Sequence, residues 1–260
     1  AGCMVSEYGT GRDIMIFKVD AGGTEEWQTV IDTGGDDTAK TIIQTEDGGY
    51  FVGGEVWPWR GDRSSVIFKV DGNGSVVWNA VGTEDEPVSS IVQTTEGTIV
   101  AVSGAFAVSG SRLLLFDQSG KPLDDVSDMK PDDVLRSVAG TADGGFVAVG
   151  TAGGDALVLK RDRNLNEEWR ETYGADGQDD AWTVIQTSDG GYLVSGITEP
   201  PGRTDYERWV MRLSDTGGLL WRTTLIEAAK GVDFMEEAPG GGCTVIYHYQ
   251  TEEKGQYVQN

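Results

Sequence analysis

Acidic residues recur at one position ahead of an apolar stretch, where carboxylates can bind metal ions or move protons. The four acidic members of this set are Asp37, Glu86, Asp133 and Asp179, and the fifth equivalent position holds Lys230. A ring of such carboxylates can bind Ca²⁺, which takes six to eight oxygen ligands. The alternative is that each carboxylate caps its own turn by accepting backbone N–H groups. Because no spaced calcium-loop signature accompanies these acids, the second interpretation is favoured.

Tryptophan and arginine residues form a second candidate ligand site. Trp57, Trp59 and Arg60 lie in one long loop, and Trp182 stands three positions after Asp179. Indole rings suit sugar rings, and exposed aromatic residues beside arginine are typical of protein interfaces. The alternative is that the loop packs back on its own small core. The positions equivalent to Trp182 hold Lys40, Ser89, Arg136 and Asp233.

Signatures of catalysis are poor in this sequence. His248 is the only histidine, which nearly excludes a Ser-His-Asp triad or a histidine-rich metal site. A glycosidase needs only two carboxylates about 5–10 Å apart. The recurring acids could supply such a pair, but they repeat with the structural unit, whereas catalytic acids occupy non-repeating positions. We therefore expect a protein without catalytic residues, and a glycoside hydrolase is the alternative.

The composition restricts the classes of partner. The formal net charge is −23, so nucleic acids and anionic membranes are poor partners, whereas cations and basic ligands are attracted. No stretch approaches the roughly 20 apolar residues of a membrane helix. An acidic composition of this kind fits a secreted protein or one from a salty habitat. Cys3 follows Ala1 and Gly2, as the cysteine of a lipoprotein signal would, and a processed end or cloning scar is the alternative.

Two marks repeat along the chain. The first is Asp-Gly-Gly, at Asp47, Asp143 and Asp189, with divergent copies at Glu96 and around Gly240. Successive copies are 46 to 51 residues apart. The second is an aspartate followed seven residues later by tryptophan. Trp27, Trp78, Trp169 and Trp221 stand at this place, although Ser214 replaces the aspartate before Trp221, and Asp124 replaces the tryptophan of the third copy. Repeats of this length, rich in short strands, predict a β-propeller.

One repeat reads as four antiparallel strands. The predicted strands cover Ala39–Thr45, Tyr50–Glu55, Ser65–Asp71 and Ser75–Val81, each short and rich in β-branched or aromatic residues. The Asp-Gly-Gly mark is the turn between the first two strands, because its glycines supply the positive φ that tight hairpins need. The mark is therefore interpreted as structure and not as a binding site.

The repeat count predicts an all-β, five-bladed propeller in one domain, residues 1–260. The last blade is built from both chain ends: its first two strands are the last hairpin of the chain, and its third and fourth strands are the first hairpin. Both chain ends therefore close the ring. Residues 1–11 and 251–260 are extensions with strand-like sequences that pair at the closing blade or with another molecule. A six-bladed ring is the alternative. Cys3 and Cys243 both belong near the closing blade, where a disulfide would fix the ring; if Cys3 is lipidated, Cys243 is a free thiol.

The run "DAWTVIQTSDGGYLVSG", Asp180 to Gly196, resembles the repeats of secreted and cell-surface β-propellers of bacteria and archaea. "DGNGSVVW", Asp71 to Trp78, is similar to the tryptophan motif of PQQ-type propellers, and the repeats are also kelch-like. The resemblance implies that the repeated tryptophan packs one blade against the next. It does not imply a quinone cofactor, because quinoprotein rings are larger and carry an adjacent cysteine pair.

These observations predict a non-catalytic extracellular propeller that serves as a cell-surface scaffold or protein-interaction module, assembling with itself through terminal strands such as residues 254–260. The alternative is a module that binds carbohydrate or Ca²⁺ at the acidic mouth of the channel. No other cofactor is expected. The sequon at Asn73 lies on a predicted exposed turn and suits glycosylation of a surface protein.

Overall fold

A computed structural model describes residues 2–5, 11–58, 61–82, 87–103, 111–123, 130–174, 177–202, 206–225, 229–239 and 242–249. These residues form twenty β-strands in six antiparallel sheets. Within these ranges no helix is long and apolar enough to cross a membrane. The predicted all-β class with four-stranded antiparallel sheets is confirmed.

The sheets are numbered in chain order. Sheet 1 contains β1 (Gly2–Val5), β2 (Arg12–Val19) and β3 (Glu25–Ile31). Sheet 2 contains β4 (Gly35–Gln44), β5 (Tyr50–Pro58), β6 (Ser64–Val70) and β7 (Val76–Val81). Sheet 3 contains β8 (Val88–Gln93), β9 (Ile99–Ser103) and β10 (Arg112–Phe116). Sheet 4 contains β11 (Asp133–Gly140), β12 (Phe146–Ala152), β13 (Asp155–Arg161) and β14 (Glu167–Tyr173). Sheet 5 contains β15 (Gln178–Gln186), β16 (Tyr192–Glu199), β17 (Glu207–Leu213) and β18 (Leu219–Thr224). Sheet 6 contains β19 (Ala229–Ala238) and β20 (Gly242–Tyr249).

The strands of each four-stranded sheet pair in chain order, as the repeat predicted. The first strands β4, β8, β11, β15 and β19 contact one another from sheet to sheet and are called the inner strands. The last strands β3, β7, β14 and β18 are called the outer strands. The Asp-Gly-Gly mark is the predicted hairpin turn: the N–H of Thr45 donates to the carbonyl of Gly49 at 2.9 Å, and Gly48 has a φ of 80°.

The hydrophobic core lies between neighbouring sheets. Val147 and Val158 of sheet 4 pack with Val194 and Met211 of sheet 5, and all four are buried. Burial of a side chain of this size contributes about 1.5–3 kcal/mol relative to exposure. The middle strands β9 and β12 therefore carry nearly continuous buried apolar residues, while most residues of the outer strands β7 and β14 are exposed or half-buried.

Tryptophans on the outer strands pack against the next sheet. The ring of Trp27 lies over the turn of sheet 2, where a Cβ on Gly74 would come within 2.7 Å of it, and the indole N–H donates to the Gly72 carbonyl at 2.9 Å. Trp78 packs on Gly120 and Trp169 on Gly217 in the same way. The role implied by the resemblance is thus confirmed at three seams. Trp221, at the fourth, is 38% exposed.

Leu165 explains the seam whose tryptophan is missing. It occupies the place of the turn glycine in sheet 4 and has a φ of 70°, the one positive φ of a non-glycine residue in the described part of the chain. A left-handed conformation costs such a residue about 1–2 kcal/mol. Leu165 packs on the cluster that holds Val100 and Leu157. The leucine fills, from the turn side, space that an indole fills at the other seams.

The closing blade predicted from both chain ends is not formed. The edge of β2 that was expected to pair with β20 is paired with β1, where Cys3 faces Ile14 across the ladder. Among the described residues β20 pairs with β19 alone. The N-terminal segment is therefore a strand, as its sequence indicated, but it completes the first sheet by itself. The blade count stays a prediction, and the segment 251–260 lies outside the described residues.

Candidate functional site

The acids predicted to ring the channel mouth are buried. Asp37, Asp133 and Asp179 begin the inner strands of sheets 2, 4 and 5, and each is at most 1% exposed. The carboxylate of Asp37 accepts hydrogen bonds from the Thr33 N–H at 2.8 Å and the Thr33 hydroxyl at 2.6 Å. This is the turn-capping alternative, and it is confirmed for Asp37. Glu86 lies outside the described residues, and so does the side chain of Lys230.

Two of these acids are held by arginines from the far side of their own sheets. Asp133 pairs with Arg170, and Asp179 accepts a hydrogen bond from Arg222 at 2.7 Å. Both arginines directly follow the repeated tryptophan of the outer strand. The expectation of an open carboxylate ring is therefore wrong for these two residues, because each carboxylate is neutralised inside its sheet.

Sheet 2 differs, because Asn79 stands where the other two sheets carry arginine. Burial raises the pKa of Asp37, and the nearby carboxylates of Asp13 and Asp32 raise it further. One oxygen from each of these three residues lies within 4.8 Å of the others. Three carboxylates at this spacing could ligate a cation, although Ca²⁺ takes six to eight oxygens. The Ca²⁺ site stays a prediction.

A β-bulge recurs at one place in the inner strands. The pairing register skips one residue, and the skipped residues are Lys40, Ser89, Arg136, Trp182 and Asp233. A bulge gives one strand an extra residue and redirects its side chain. The backbone feature is the same in sheets 2 to 6, but the five residue types all differ. This departure from the repeat marks the inner face as the candidate ligand site.

The bulge residues make different contacts on this inner face. Arg136 forms a two-pronged ion pair with Asp180, with N···O distances of 2.7 and 3.1 Å. The Ser89 hydroxyl donates to the Arg136 carbonyl at 2.9 Å, which ties sheet 3 to sheet 4. The indole of Trp182 is 39% exposed. An exposed indole can stack on the face of an apolar ring.

The loop tryptophans are only partly described. Trp57 is 51% exposed, and the guanidinium of Arg63 lies 5.2 Å from the centre of its ring. This cation–π contact keeps the indole at the surface. Trp59 and Arg60 lie outside the described residues, so the structure does not bring the predicted set together. Asn73 is exposed on its turn, as glycosylation requires.

Cys243 carries a free, half-buried thiol, and burial raises its pKa. The disulfide predicted with Cys3 stays a prediction, because the side chain of Cys3 lies outside the described residues. In the backbone, Cys3 lies on β1 of sheet 1, whereas Cys243 pairs with Glu237 on β19 of sheet 6. Lipidation of Cys3 stays a prediction.

Sequence reasoning missed a buried cation behind each Asp-Gly-Gly turn. The ammonium of Lys69 is 2.8 Å from Asp47, and that of Lys160 is 2.8 Å from Asp143, with both lysines almost fully buried. Arg212 pairs with Asp189 in the same way. The sequence does contain a pattern that predicts these ion pairs. In each repeat a basic residue, Lys69, Lys160 or Arg212, stands two positions before the aspartate or serine that opens the next turn. These ion pairs are structural, because they recur with the repeat.

Comparison with known proteins identifies the fold and not the function. No protein-family model and no curated protein matches the chain. The Dos1 propeller is 15% identical with a TM-score of 0.62, over 90% of this chain and 60% of that one. A protein of unknown function from Bacteroides caccae is 15% identical with a TM-score of 0.51, over 80% and 73% of the two chains. The extracellular domain of the putative one-component system BT4673 from B. thetaiotaomicron is 9% identical with a TM-score of 0.50, over 90% and 38%. The chain has the fold of a β-propeller.

Proposed function

We propose that this chain is a non-catalytic, extracellular interaction module that binds a protein partner along its outer strands β7 and β18. One observation carries the proposal. Both strands expose a pair of apolar residues at a position where the other two outer strands expose a pair of glutamates. The partner is expected to lay an apolar strand flanked by basic residues along either edge.

The four positions are structurally equivalent. In each outer strand the two residues precede the repeated tryptophan, and the pairing register skips the second residue of the pair. Val76 and Val77 are 42% and 59% exposed, and Leu219 and Leu220 are 50% and 61% exposed. The equivalent residues are Glu25, Glu26, Glu167 and Glu168, which are also exposed.

The fold does not need apolar side chains at this position. Glu26 forms an ion pair with Lys18 at 2.6 Å, and Glu168 forms one with Lys160 at 2.8 Å. Val77 and Leu220 replace these glutamates, so sheets 2 and 5 lose an ion pair and expose apolar surface to water instead. Exposed apolar patches on soluble proteins are typical of interaction sites.

The strand edges and the net charge specify the partner's chemistry. Within the described residues, β7 pairs only with β6 and β18 only with β17. A strand with an unpaired edge can add an extended segment of another protein by backbone hydrogen bonds. A net charge of −23 attracts a basic partner and opposes association with a second copy.

The geometry of the acids supports a function without catalysis. A general acid needs a raised pKa and access to substrate, whereas Asp133 and Asp179 are held by arginines. Burial does raise the pKa of Asp37, but this residue is 0% exposed and no sugar reaches it. The extracellular location is supported by the exposed sequon at Asn73 and by the likeness of fold to an extracellular domain.

A defined peptide tests the proposal. The probe is fluorescently labelled Lys-Val-Lys-Val-Lys-Val-Lys, whose alternation presents valines on one face and lysines on the other. The control probe, Lys-Ser-Lys-Ser-Lys-Ser-Lys, has the same charge. In 0.3 M NaCl, where exposed charges are largely screened, we expect anisotropy to show at least tenfold tighter binding of the valine probe.

The matched variant carries glutamate at Val76, Val77, Leu219 and Leu220, as the other outer strands do. We expect it to fold with an unchanged melting temperature and to lose the preference for the valine probe. Added negative charge strengthens purely electrostatic binding, so a loss of binding cannot come from the field of the protein. A variant that binds the valine probe as tightly as the wild type contradicts the proposal.

A second candidate function, carbohydrate binding at the inner face, is favoured by the exposure of Trp182 in an inner strand. The test is indole fluorescence against a panel of oligosaccharides, with Trp182→Ala and Trp57→Ala as paired variants. Loss of a sugar response in Trp182→Ala alone supports the inner-face site. No response in the wild type contradicts it.

A further inference from the structure

Sheets 1 and 6, at the two ends of the row of contacting sheets, each leave a strand edge unpaired. Among the described residues β20 pairs only with β19. In the same part of the chain, β1 covers residues 12–15 of β2 and leaves residues 16–19 of that edge without a partner strand. In sheets 2, 4 and 5 the second strand pairs with the third along most of its length. The free edges of β20 and β2 are therefore the two edges that pair in each four-stranded sheet.

The repeated tryptophan of sheet 5 lacks the cover that its three equivalents have. Trp27 lies over the turn glycine Gly74 of the next sheet, and two further seams repeat this contact, but Trp221 is 38% exposed. Sheet 1 contains the complementary free group. Its turn is closed by a hydrogen bond from the Gly23 N–H to the Asp20 carbonyl at 3.0 Å, yet a Cβ on Gly23 would meet nothing within 4 Å. One uncovered indole and one uncovered glycine turn thus remain in the described chain.

Sheet 1 also exposes apolar side chains that its equivalents bury. Phe17 and Val19 of β2 are each 47% exposed. They stand at the places of Phe68 and Val70 in β6, which are at most 2% exposed and pack in one cluster with Trp27 of the preceding sheet. Phe17 and Val19 therefore form one half of a seam whose other half is a preceding sheet with its tryptophan.

We propose that β20 exchanges with β1 at the edge of β2. In the structure β1 occupies this edge, so the exchange leads to a second arrangement that the chain reaches only when β1 leaves. β20 then pairs with β2, and the Gly23 turn moves under Trp221. Burial of Phe17, Val19 and the indole favours this arrangement. A strand held by four residue pairs is among the parts of a fold that open at low cost.

The repeat predicts the register of the exchanged pair. Cys243 stands at the place of Tyr192, directly after the last glycine of the turn, and Tyr192 pairs with Leu213. Val19 stands at the place of Leu213, directly before the residue that opens the next turn. We therefore expect Cys243 opposite Val19. Residues directly opposite in an antiparallel pair have Cβ atoms about 4.5–5.5 Å apart, which a small adjustment brings within the range of a disulfide.

Disulfide trapping in the full chain tests the proposal. The first variant combines Val19→Cys with Cys3→Ser, so that the only other thiol is the native Cys243. The second variant keeps Val19→Cys and replaces Cys3 and Met4 by proline. Adjacent residues of a strand direct their N–H groups to opposite edges, so one of the two prolines removes a bond to β2. We expect the intramolecular disulfide to form about tenfold faster or more in the proline variant, because β1 no longer holds the edge.

Equal rates of trapping in these two variants, or no intramolecular disulfide in either, overturn the proposal. Tryptic peptides analysed by mass spectrometry identify the product, and circular dichroism checks that each variant is folded.

A matched control separates the expected register from random encounter. Lys18→Cys replaces Val19→Cys in the proline variant, and it places the thiol on the opposite face of β2. We expect trapping with Cys243 to be about tenfold slower than at Val19, because the two Cβ atoms do not face each other. Comparable trapping at both positions overturns the proposal, and so do disulfide-linked dimers in place of the intramolecular product. The result does not depend on the proposed docking at β7 and β18, because no partner peptide enters the experiment.

Discussion

Replacing Arg170 by methionine should destabilise the protein more than any surface substitution. The Arg170 and Asp133 side chains are 10% and 1% exposed, so the ion pair lies inside sheet 4. The Asp133 carboxylate also accepts the Lys130 N–H at 3.0 Å, which is its remaining hydrogen bond among the described residues. Methionine retains most of the aliphatic packing of arginine but leaves a buried carboxylate without its cation.

The expected loss is about 3–5 kcal/mol, the usual cost of removing one partner of a buried ion pair. Domains of this size are stabilised by about 5–15 kcal/mol, so the variant should remain folded with its urea midpoint greatly lowered. At about 2–4 °C per kcal/mol the melting temperature should fall by about 6–20 °C. Urea unfolding at pH 7, followed by tryptophan fluorescence, measures the change.

The double variant Arg170→Met with Asp133→Asn separates the buried charge from lost packing. We expect it to recover at least half of the loss, because asparagine carries no charge to desolvate. Sheet 2 shows that the fold tolerates a non-basic residue at the position of Arg170. Asn79 stands at that position, and the buried carboxylate of Asp37 is capped by Thr33 instead. A cost below about 1 kcal/mol for Arg170→Met, or no recovery in the double variant, would refute the reasoning.

Two further predictions concern the turns. Gly74→Ala should cost at least 1 kcal/mol more than Gly23→Ala in urea unfolding. Both glycines have a φ above 80°, but a Cβ at Gly74 meets the Trp27 ring at 2.7 Å, whereas one at Gly23 meets nothing within 4 Å; equal costs would contradict the packing of the seam. Lys69 lowers the pKa of Asp47 from 3.8 to about 2, and Asp143, despite the opposing effect of burial, is lowered to about 2 by Lys160. Because these folded-state values are depressed, their stabilisation is complete above about pH 4 and is lost between pH 4 and 2, so the melting temperature should fall in that window, and a flat profile would contradict the ion pairs.

Local turn chemistry made the strands of the repeat predictable. The predicted strands Ala39–Thr45, Tyr50–Glu55, Ser65–Asp71 and Ser75–Val81 coincide with β4 to β7 within a few residues. Their glycine turns and alternating residues are determined within one hairpin, and that is information a single sequence contains. The tryptophan seams were expected from the resemblance to known propeller repeats, and three of them are formed.

The candidate site was less predictable, because burial depends on side chains from a third or fourth strand. Asp133 and Asp179 have the sequence context of surface acids, and the arginines after Trp169 and Trp221, which pair with them from the outer strands, are distant in sequence. Pairing of the chain ends failed for a related reason. The choice between β1 and β20 as the neighbour of β2 is a competition between two distant segments, and no local pattern decides it.

The most direct test of the central claim is hydrogen exchange of the full chain with and without the valine–lysine peptide. If a partner strand docks on the exposed apolar edges, the amides of β7 and β18 should gain protection, while those of β14, whose equivalent residues Glu167 and Glu168 are charged, should not. The same spectrum thus contains its own control. Protection confined to β7 and β18 is the predicted result, and protection that is uniform across the outer strands, or absent from all of them, would contradict the account.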